Sequence, residues 1–265
     1  MIMKGAILYF SLTGNTKLAC EYIISKIHDV EFDLMNMRDG YPNLDEYNII
    51  GFATYADEYS IAEFVKEYID GMESINKPAF VFSTYGKDNG AATKVLAEKI
   101  TKKGFKVVLD HGLNTPENYP PVMKHDHGHI NNPTKQQMDE FNIFIDELSK
   151  ICLKIRNREV VNEKKVLVKT KYIVLSKLGT ALMMRKIMGA KKVDSTLCIQ
   201  CKKCVNTCPY KVIKMNDFPV FDEAKCHGCF ACYNLCPTKA IYTNGYNKFG
   251  HYPKPNKAVI EKLKV

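Results

Sequence analysis

Residues 198–213, CIQCKKCVNTCPYKVI, return 28 residues later as residues 226–241, CHGCFACYNLCPTKAI. Both copies read C-x-x-C-x-x-C-x-x-x-C-P, and they also agree at Asn206 and Asn234, Lys211 and Lys239, and Ile213 and Ile241. Matches outside the cysteines point to a duplicated fold unit rather than to two chance motifs. Three thiolates spaced by two residues point successive sulfurs inward around one cube of iron and sulfide. The fourth ligand of each cube then comes from elsewhere in the chain. A zinc site ordinarily shows two C-x-x-C pairs, or Cys with His, and would leave a third closely spaced Cys idle. Disulfides would need an oxidising compartment and a secretory signal, and neither is expected, since the first apolar run, Gly5 to Phe10, ends in a polar turn without a cleavage signal.

Outward from this block, composition divides the chain in three. Residues 1–150 carry a net charge of −7, residues 151–195 of +9 and residues 196–265 of +7, together the +9 of the whole. Eight of the ten cysteines lie between Cys198 and Cys236. The expected organisation is an acidic domain over 1–155, a basic and partly helical connector over 156–194, and a cysteine-dense domain with a C-terminal tail over 195–265. The other two cysteines, Cys20 and Cys152, sit among Leu18, Ala19, Ile23, Ile151 and Leu153 and read as buried structural thiols. A chain of 265 residues, 46% hydrophobic and 25% charged, can bury a sizeable core, which excludes disorder and a small disulfide scaffold. Without an apolar run near the length of a membrane span, the expected location is the cytoplasm.

Residues 4–110 alternate apolar, strand-like runs with amphipathic stretches. The pattern predicts strands near 4–10, 30–35, 47–53, 78–83 and 105–110, and helices near 15–28, 60–72, 89–103 and 135–155: a parallel sheet wrapped by helices. Ligands of such sheets bind beyond the carboxyl ends of the strands. After the first strand stands Ser11-Leu12-Thr13-Gly14-Asn15-Thr16, a hydroxyl-rich turn opening a helix, suited to a phosphate dianion without any Lys. It lacks the G-K-[ST] end of a triphosphate loop and the three glycines of a dinucleotide loop, so a monophosphate is the expected ligand. The loops after the third strand (Thr54, Tyr55, Ala56, Asp57, Glu58, Tyr59) and the fourth (Ser83, Thr84, Tyr85, Gly86, Lys87, Asp88, Asn89, Gly90) each offer a Tyr beside small or polar residues. Such pairs suit the sandwiching of a flat ring.

These motifs resemble a known pairing. The first 150 residues are similar to a short flavodoxin, whose S-x-T-G-N-T phosphate loop matches Ser11 to Thr16, and residues 195–245 resemble a clostridial-type two-cluster ferredoxin. Joined in this order they resemble the flavodoxin-ferredoxin fusion proteins of anaerobic bacteria and archaea. The resemblance implies an α/β fold with a five-stranded parallel sheet and helices on both faces, followed by a small α+β ferredoxin domain. It implies FMN, held by Ser11, Thr13, Gly14, Asn15 and Thr16, with the isoalloxazine against Thr54, Tyr55, Ala56 and Tyr59 and against Ser83, Thr84, Tyr85, Gly86, Asn89 and Gly90. In the two-cluster ferredoxin pattern the fourth Cys of each run serves the other cluster. Cys198, Cys201, Cys204 and Cys236 then hold one 4Fe-4S cluster, and Cys226, Cys229, Cys232 and Cys208 the second. This chain departs from many flavodoxins in having no Trp, so Tyr55 or Tyr59 takes the stacking role or that face stays open. The loop at 54–59 also lacks Gly.

The implied function is electron transfer between the two clusters and FMN, linking a low-potential donor to a partner redox enzyme, with no catalytic acid, base or nucleophile asserted. The alternative is an FMN-dependent reductase of a small acceptor fed by the clusters, with a substrate pocket drawn from Thr115 to Pro133. A redox-responsive binding module acting through the connector is a third reading. Redox proteins are the expected partners, nucleic acid is not, and a homo-oligomer is compatible with the sequence. The basic, apolar connector is expected to dock between the domains in preference to lying on an anionic membrane. His125-Asp126-His127-Gly128-His129 is expected to be a solvated loop.

Overall fold

The computed structural model describes residues 3–125, 129–178, 181–247 and 250–265. Its first half is built in the order β1 (Met3–Tyr9), α1 (Asn15–Lys26), β2 (Val30–Asn36), β3 (Ile49–Asp57), β4 (Ser60–Ile61), α2 (Glu63–Gly71), β5 (Pro78–Tyr85), α3 (Ala92–Thr101), β6 (Lys106–Asn114), α4 (Pro120–His125) and α5 (Lys135–Arg156). The strands pair in the order β2-β1-β3-β5-β6, all parallel, while β4 folds back antiparallel on β3. Counted over the parallel strands alone the order is 2-1-3-4-5, that of the flavodoxin-like doubly wound sheet.

Both faces of this sheet are covered, so its inner strands are near-continuous apolar runs instead of alternating ones. Alternation survives in where the side chains go. Ile7 and Tyr9 of β1 and Phe80 and Phe82 of β5 enter one core with α1 and α5. Ala6, Leu8, Ala79 and Val81 enter the other, with α2 and α3. Helix α5 begins at a capping box in which Thr134 Oγ1 accepts from the Gln137 amide and Gln137 Oε1 accepts from the Thr134 amide. Cys20 and Cys152 lie in the first core, where burial raises both thiols, Cys152 to about 12.

His111 shares that core, stacked on Phe144 and Phe141 at centroid separations of 5.0 and 5.6 Å. Burial lowers its pKa to about 4. Between that value and the unfolded value near ~6.5 the unfolded chain binds the extra proton, so acidification destabilises the fold, by about 2–3 kcal/mol across the window. Urea unfolding of His111→Phe should show that part of the pH dependence removed; an unchanged slope would refute the assignment.

The connector places α6 (Thr170–Leu178) and α7 (Ala181–Met188) after an extended stretch that runs along the outer edge of β6. There the Lys164 amide donates to the Val107 carbonyl at 2.7 Å, Lys164 Nζ pairs with Asp110 at 3.0 Å, and Val166 enters the second core. An otherwise open strand edge is thereby covered.

The last segment carries β7 (Lys192–Val193), α8 (Lys203–Thr207), β8 (Ile213–Met215), β9 (Pro219–Phe221), α9 (Ala231–Asn234), β10 (Ile241–Tyr242) and α10 (Lys257–Lys262). Two small antiparallel sheets, β10-β7 and β8-β9, frame it. The duplication extends to the backbone. Gln200 and Gly228, Lys202 and Phe230, and Lys211 and Lys239, each pair 28 residues apart, all have positive φ. Gly228 meets a second demand, since a Cβ there would lie 2.7 Å from the carbonyl carbon and oxygen of Met184 on α7.

Three features depart from the sequence expectations. The stretch between Thr115 and Pro133 includes a helix, α4, which starts at Pro120, where a missing amide costs nothing. The strand at 49–57 runs on into a hairpin that the composition did not signal. The C-terminal tail returns to the first domain, where Val259 and Leu263 are fully buried in the core beneath α1 and α5. Of the His125 to His129 stretch, residues 126–128 lie outside the described residues.

Candidate functional site

At the carboxyl end of β1, Ser11 Oγ accepts from the Gly14 amide at 3.1 Å. Gly14, with φ 101°, is the N-cap of α1, and no acidic side chain stands in the helix's first turn. Thr16 Oγ1 and Thr84 Oγ1 are 2.8 Å apart, tying this turn to the end of β5. Ser11, Thr13, Asn15 and Thr16 line a cleft with about 1180 Å³ of empty space, counted to its open mouth. Gly14 does not line it; a Cβ there would instead lie 2.9 Å from Pro255 Cδ of the tail. The amides of a helix start and the hydroxyls of Ser11, Thr13 and Thr16 in the cleft wall suit a phosphate.

The second wall comes from β3 and β4. Asp57 pairs with Ser60 across the two-residue loop Glu58-Tyr59, whose φ values of 46° and 61° make a type I′ hairpin. Tyr55, Ala56 and Tyr59 line the cleft, whereas Thr54 is fully buried beneath it. Tyr55 packs on Phe10 with centroids 5.7 Å apart, and Tyr59 packs on Tyr172 of α6 at 6.0 Å. Both candidate stacking rings therefore have protein partners.

From the loop after β5, Thr84, Tyr85 and Gly86 line the cleft, while Ser83, Asn89 and Gly90 stand behind it. Ser83 Oγ donates to Asn89 Oδ1 at 2.7 Å, and Gly90, with φ 58°, lets the backbone of Tyr59 approach to where a Cβ would meet its Cα at 2.4 Å. These three residues shape the loop and do not face the cleft.

The loop after β6 supplies a wall that the sequence reading assigned only to the alternative substrate pocket. Thr115, Pro116, Glu117, Asn118 and Tyr119 line the cleft. Glu117 holds them in place by accepting from the amides of Lys87, Asn118 and Tyr119. Its signal was positional: it follows the carboxyl end of a further parallel strand. Carboxylates crowd this end of the cleft. Burial raises Asp57 to about 6, and burial together with nearby Glu117 raises Glu58.

The last wall belongs to the cysteine domain. Cys229, Ala231 and Asn234 line the same cleft, and Asn234 Nδ2 donates to the Asn118 carbonyl at 2.9 Å. Burial raises the Tyr55 phenol well above its usual range, and the neighbouring Asp57 adds to the effect. The tail closes the arrangement. Tyr252 Oη donates to Asn15 Oδ1 at 2.9 Å, Asn15 Nδ2 donates to the Pro116 carbonyl at 3.2 Å, and the Tyr252 amide donates to Asn234 Oδ1 at 3.3 Å.

The eight clustered cysteines fall into two groups. Cys198, Cys201, Cys204 and Cys236 line one void, and Cys208, Cys226, Cys229 and Cys232 line another. Cys201 is exposed to solvent, whereas Cys208, Cys226 and Cys232 are buried. Among the described residues no three Cys, His, Asp or Glu side chains converge closely enough to grip a single metal ion. Four thiols spread around a void match the donor set of a cluster. Amides already aim at the sulfurs, from Gly228 to Cys226 at 3.3 Å and from Ala240 to Cys236 at 3.2 Å.

Residues 197–240 match the family of 4Fe-4S dicluster domains. No curated protein matches the chain. Among solved structures it is similar to a flavodoxin from the domain Archaea, at 21% identity over 57% of this chain and 99% of that one, TM-score 0.42. It is also similar to oxidised flavodoxin 1 from Bacillus cereus, at 18% identity over 59% and 99%, TM-score 0.40. A third is the rubredoxin oxygen:oxidoreductase of the anaerobe Desulfovibrio gigas, at 18% identity over 58% of this chain and 37% of that one, TM-score 0.45. The strand order of the chain itself carries the assignment of its first domain.

Proposed function

We propose, from a flavodoxin-like α/β domain joined to a 4Fe-4S dicluster domain, that this chain is an electron-transfer protein passing electrons between two 4Fe-4S clusters and a bound FMN. It would link a low-potential donor to a partner redox enzyme. One observation carries the reading: Cys229, a ligand candidate of the second cysteine group, stands in the wall of the cleft opened by Ser11 to Thr16. When bound, clusters supply single-electron chemistry and FMN one- and two-electron chemistry.

The chain's own residues divide the remaining work. Ser11, Thr13, Asn15, Thr16 and the start of α1 would hold the phosphate of FMN, and Tyr59, Tyr85, Ala56 and Gly86 would flank its ring. Cys208, Cys226, Cys229 and Cys232 would hold the cluster nearer the cleft. Cys198, Cys201, Cys204 and Cys236 would hold the outer one, with Cys201 at the surface. Asp57, Glu58 and Glu117 place negative charge at the ring end of the cleft, which disfavours adding electrons there and lowers the potential at which a bound group is reduced.

Stepwise reduction of the anaerobically purified full chain, followed by absorption, tests this. Iron and acid-labile sulfide near ~8 each per chain, with one FMN, are expected. Zinc in place of iron, or a chain without flavin, would overturn the proposal.

A further inference from the structure

Residues 164–193 contain no acidic side chain and nine Lys or Arg. Three are engaged internally. Lys164 pairs with Asp110, Lys191 with Glu223 at 2.7 Å, and Arg185 donates to the Ala224 carbonyl. Lys165, Lys169, Lys171, Lys177, Lys186 and Lys192 are exposed.

The apolar side chains of the same segment divide by face. Met184 and Met188 of α7 are buried, and Tyr172 of α6 donates to Asp88 at 2.7 Å beside the cleft. This much is the docking expected of the connector. Other apolar side chains of the segment are exposed among the described residues: Val174, Leu178 and Leu182 are 55%, 63% and 54% exposed. On α6, Val174 and Leu178 are one turn apart on one face, with Lys171 and Lys177 to either side. On α7, Leu182 and Met183 share a shallow groove with Lys186 and Ile187.

We propose that this face is a peripheral docking surface for a bilayer containing anionic lipid. Aliphatic side chains bordered by long Lys stems let the apolar groups enter the interface while the ammonium groups reach lipid phosphates. A protein partner of the same charge would be expected to meet aromatic and Arg anchors, and protein interfaces are depleted in Lys. With 9 and 8 residues, α6 and α7 would lie on the surface, and no helix among the described residues is long and apolar enough to cross a membrane. The net charge of −7 on residues 1–150 would turn the first domain away from an anionic surface, which gives the bound protein one orientation.

Flotation of the holoprotein with phosphatidylcholine vesicles, with and without phosphatidylglycerol, tests the proposal. Flotation is expected only with the anionic vesicles and should fall with added salt. A triple variant Lys171→Gln, Lys177→Gln, Lys186→Gln should weaken partitioning by about tenfold or more. A second triple variant, Val174→Ser, Leu178→Ser, Leu182→Ser, should also weaken it; retained cluster absorption shows that each variant is folded. No flotation with either vesicle, equal flotation with both, or undiminished flotation of the lysine variant would overturn the proposal. So would retention on immobilised polyglutamate without flotation, which would assign the face to an acidic protein. Flotation reads the protein's position and not its redox activity, so failure here leaves the electron-transfer reading standing.

Discussion

Replacing Cys229 with serine is expected to remove about half of the iron and sulfide and to slow electron exchange between the remaining cluster and the flavin by orders of magnitude. Cys198→Ser should remove a similar share of iron yet leave that exchange fast. The two residues sit in equivalent runs of one duplicated unit but in unequal places. Cys229 lines the cleft beside Tyr55 and Ala231, whereas Cys198 belongs to the group that includes exposed Cys201. Both variants perturb the same small domain, so general destabilisation would slow them alike. Rapid-mixing reduction after iron and sulfide analysis separates the cases. Equal slowing in both would overturn the assignment of the second group as the one nearer the flavin.

Deleting residues 252–265 should lower the unfolding free energy of the first domain by roughly 5 kcal/mol and weaken FMN binding. Val259 and Leu263 are fully buried in its core and Tyr252 nearly so. Burying a side chain of this size contributes about 1.5–3 kcal/mol. A loss of that size is a large part of the roughly 5–15 kcal/mol by which a domain is stable. Tyr252→Phe separates binding from stability. It keeps the packing and removes the hydroxyl, which donates to Asn15 and accepts from the Asn256 amide, so FMN affinity should drop by about tenfold or less while stability falls by about 1 kcal/mol, far less than on truncation. A truncated chain with an unchanged midpoint would refute the packing argument.

What could be read without coordinates follows physical lines. Parallel strands covered on both faces write themselves as apolar runs, so β1, β3 and β5 were legible to within a few residues. The cysteine repeat was legible because a cluster takes three sulfurs at short, fixed spacings and a fourth from the other run. Ser11 to Thr16 was legible because a helix start with hydroxyls is a local feature.

The illegible parts are those fixed by tertiary contact. A type I′ turn ordinarily advertises itself with Asn-Gly, yet Glu58-Tyr59 adopt it here, with Tyr59 resting over Gly90 and against Tyr172. Composition alone placed the tail with the cysteine domain, because six residues of helix carry too little periodicity to reveal that Val259 and Leu263 are buried in the core of the first domain. The connector read as one basic stretch, while the fold gives it an inner side at Met184 and Met188 and an outer one at Val174, Leu178 and Leu182.

Tyr252 touching Asn15 also makes the two halves of the chain thermodynamic neighbours. One set of hydrogen bonds runs from the phosphate turn to the cysteine domain, through Tyr252 to Asn15 and Asn234 and through Asn234 to Asn118. A ligand that stiffens this set in the cleft would be bound more tightly once the cysteine loops are ordered, and by reciprocity would order them, so occupancy of the two sites would rise together.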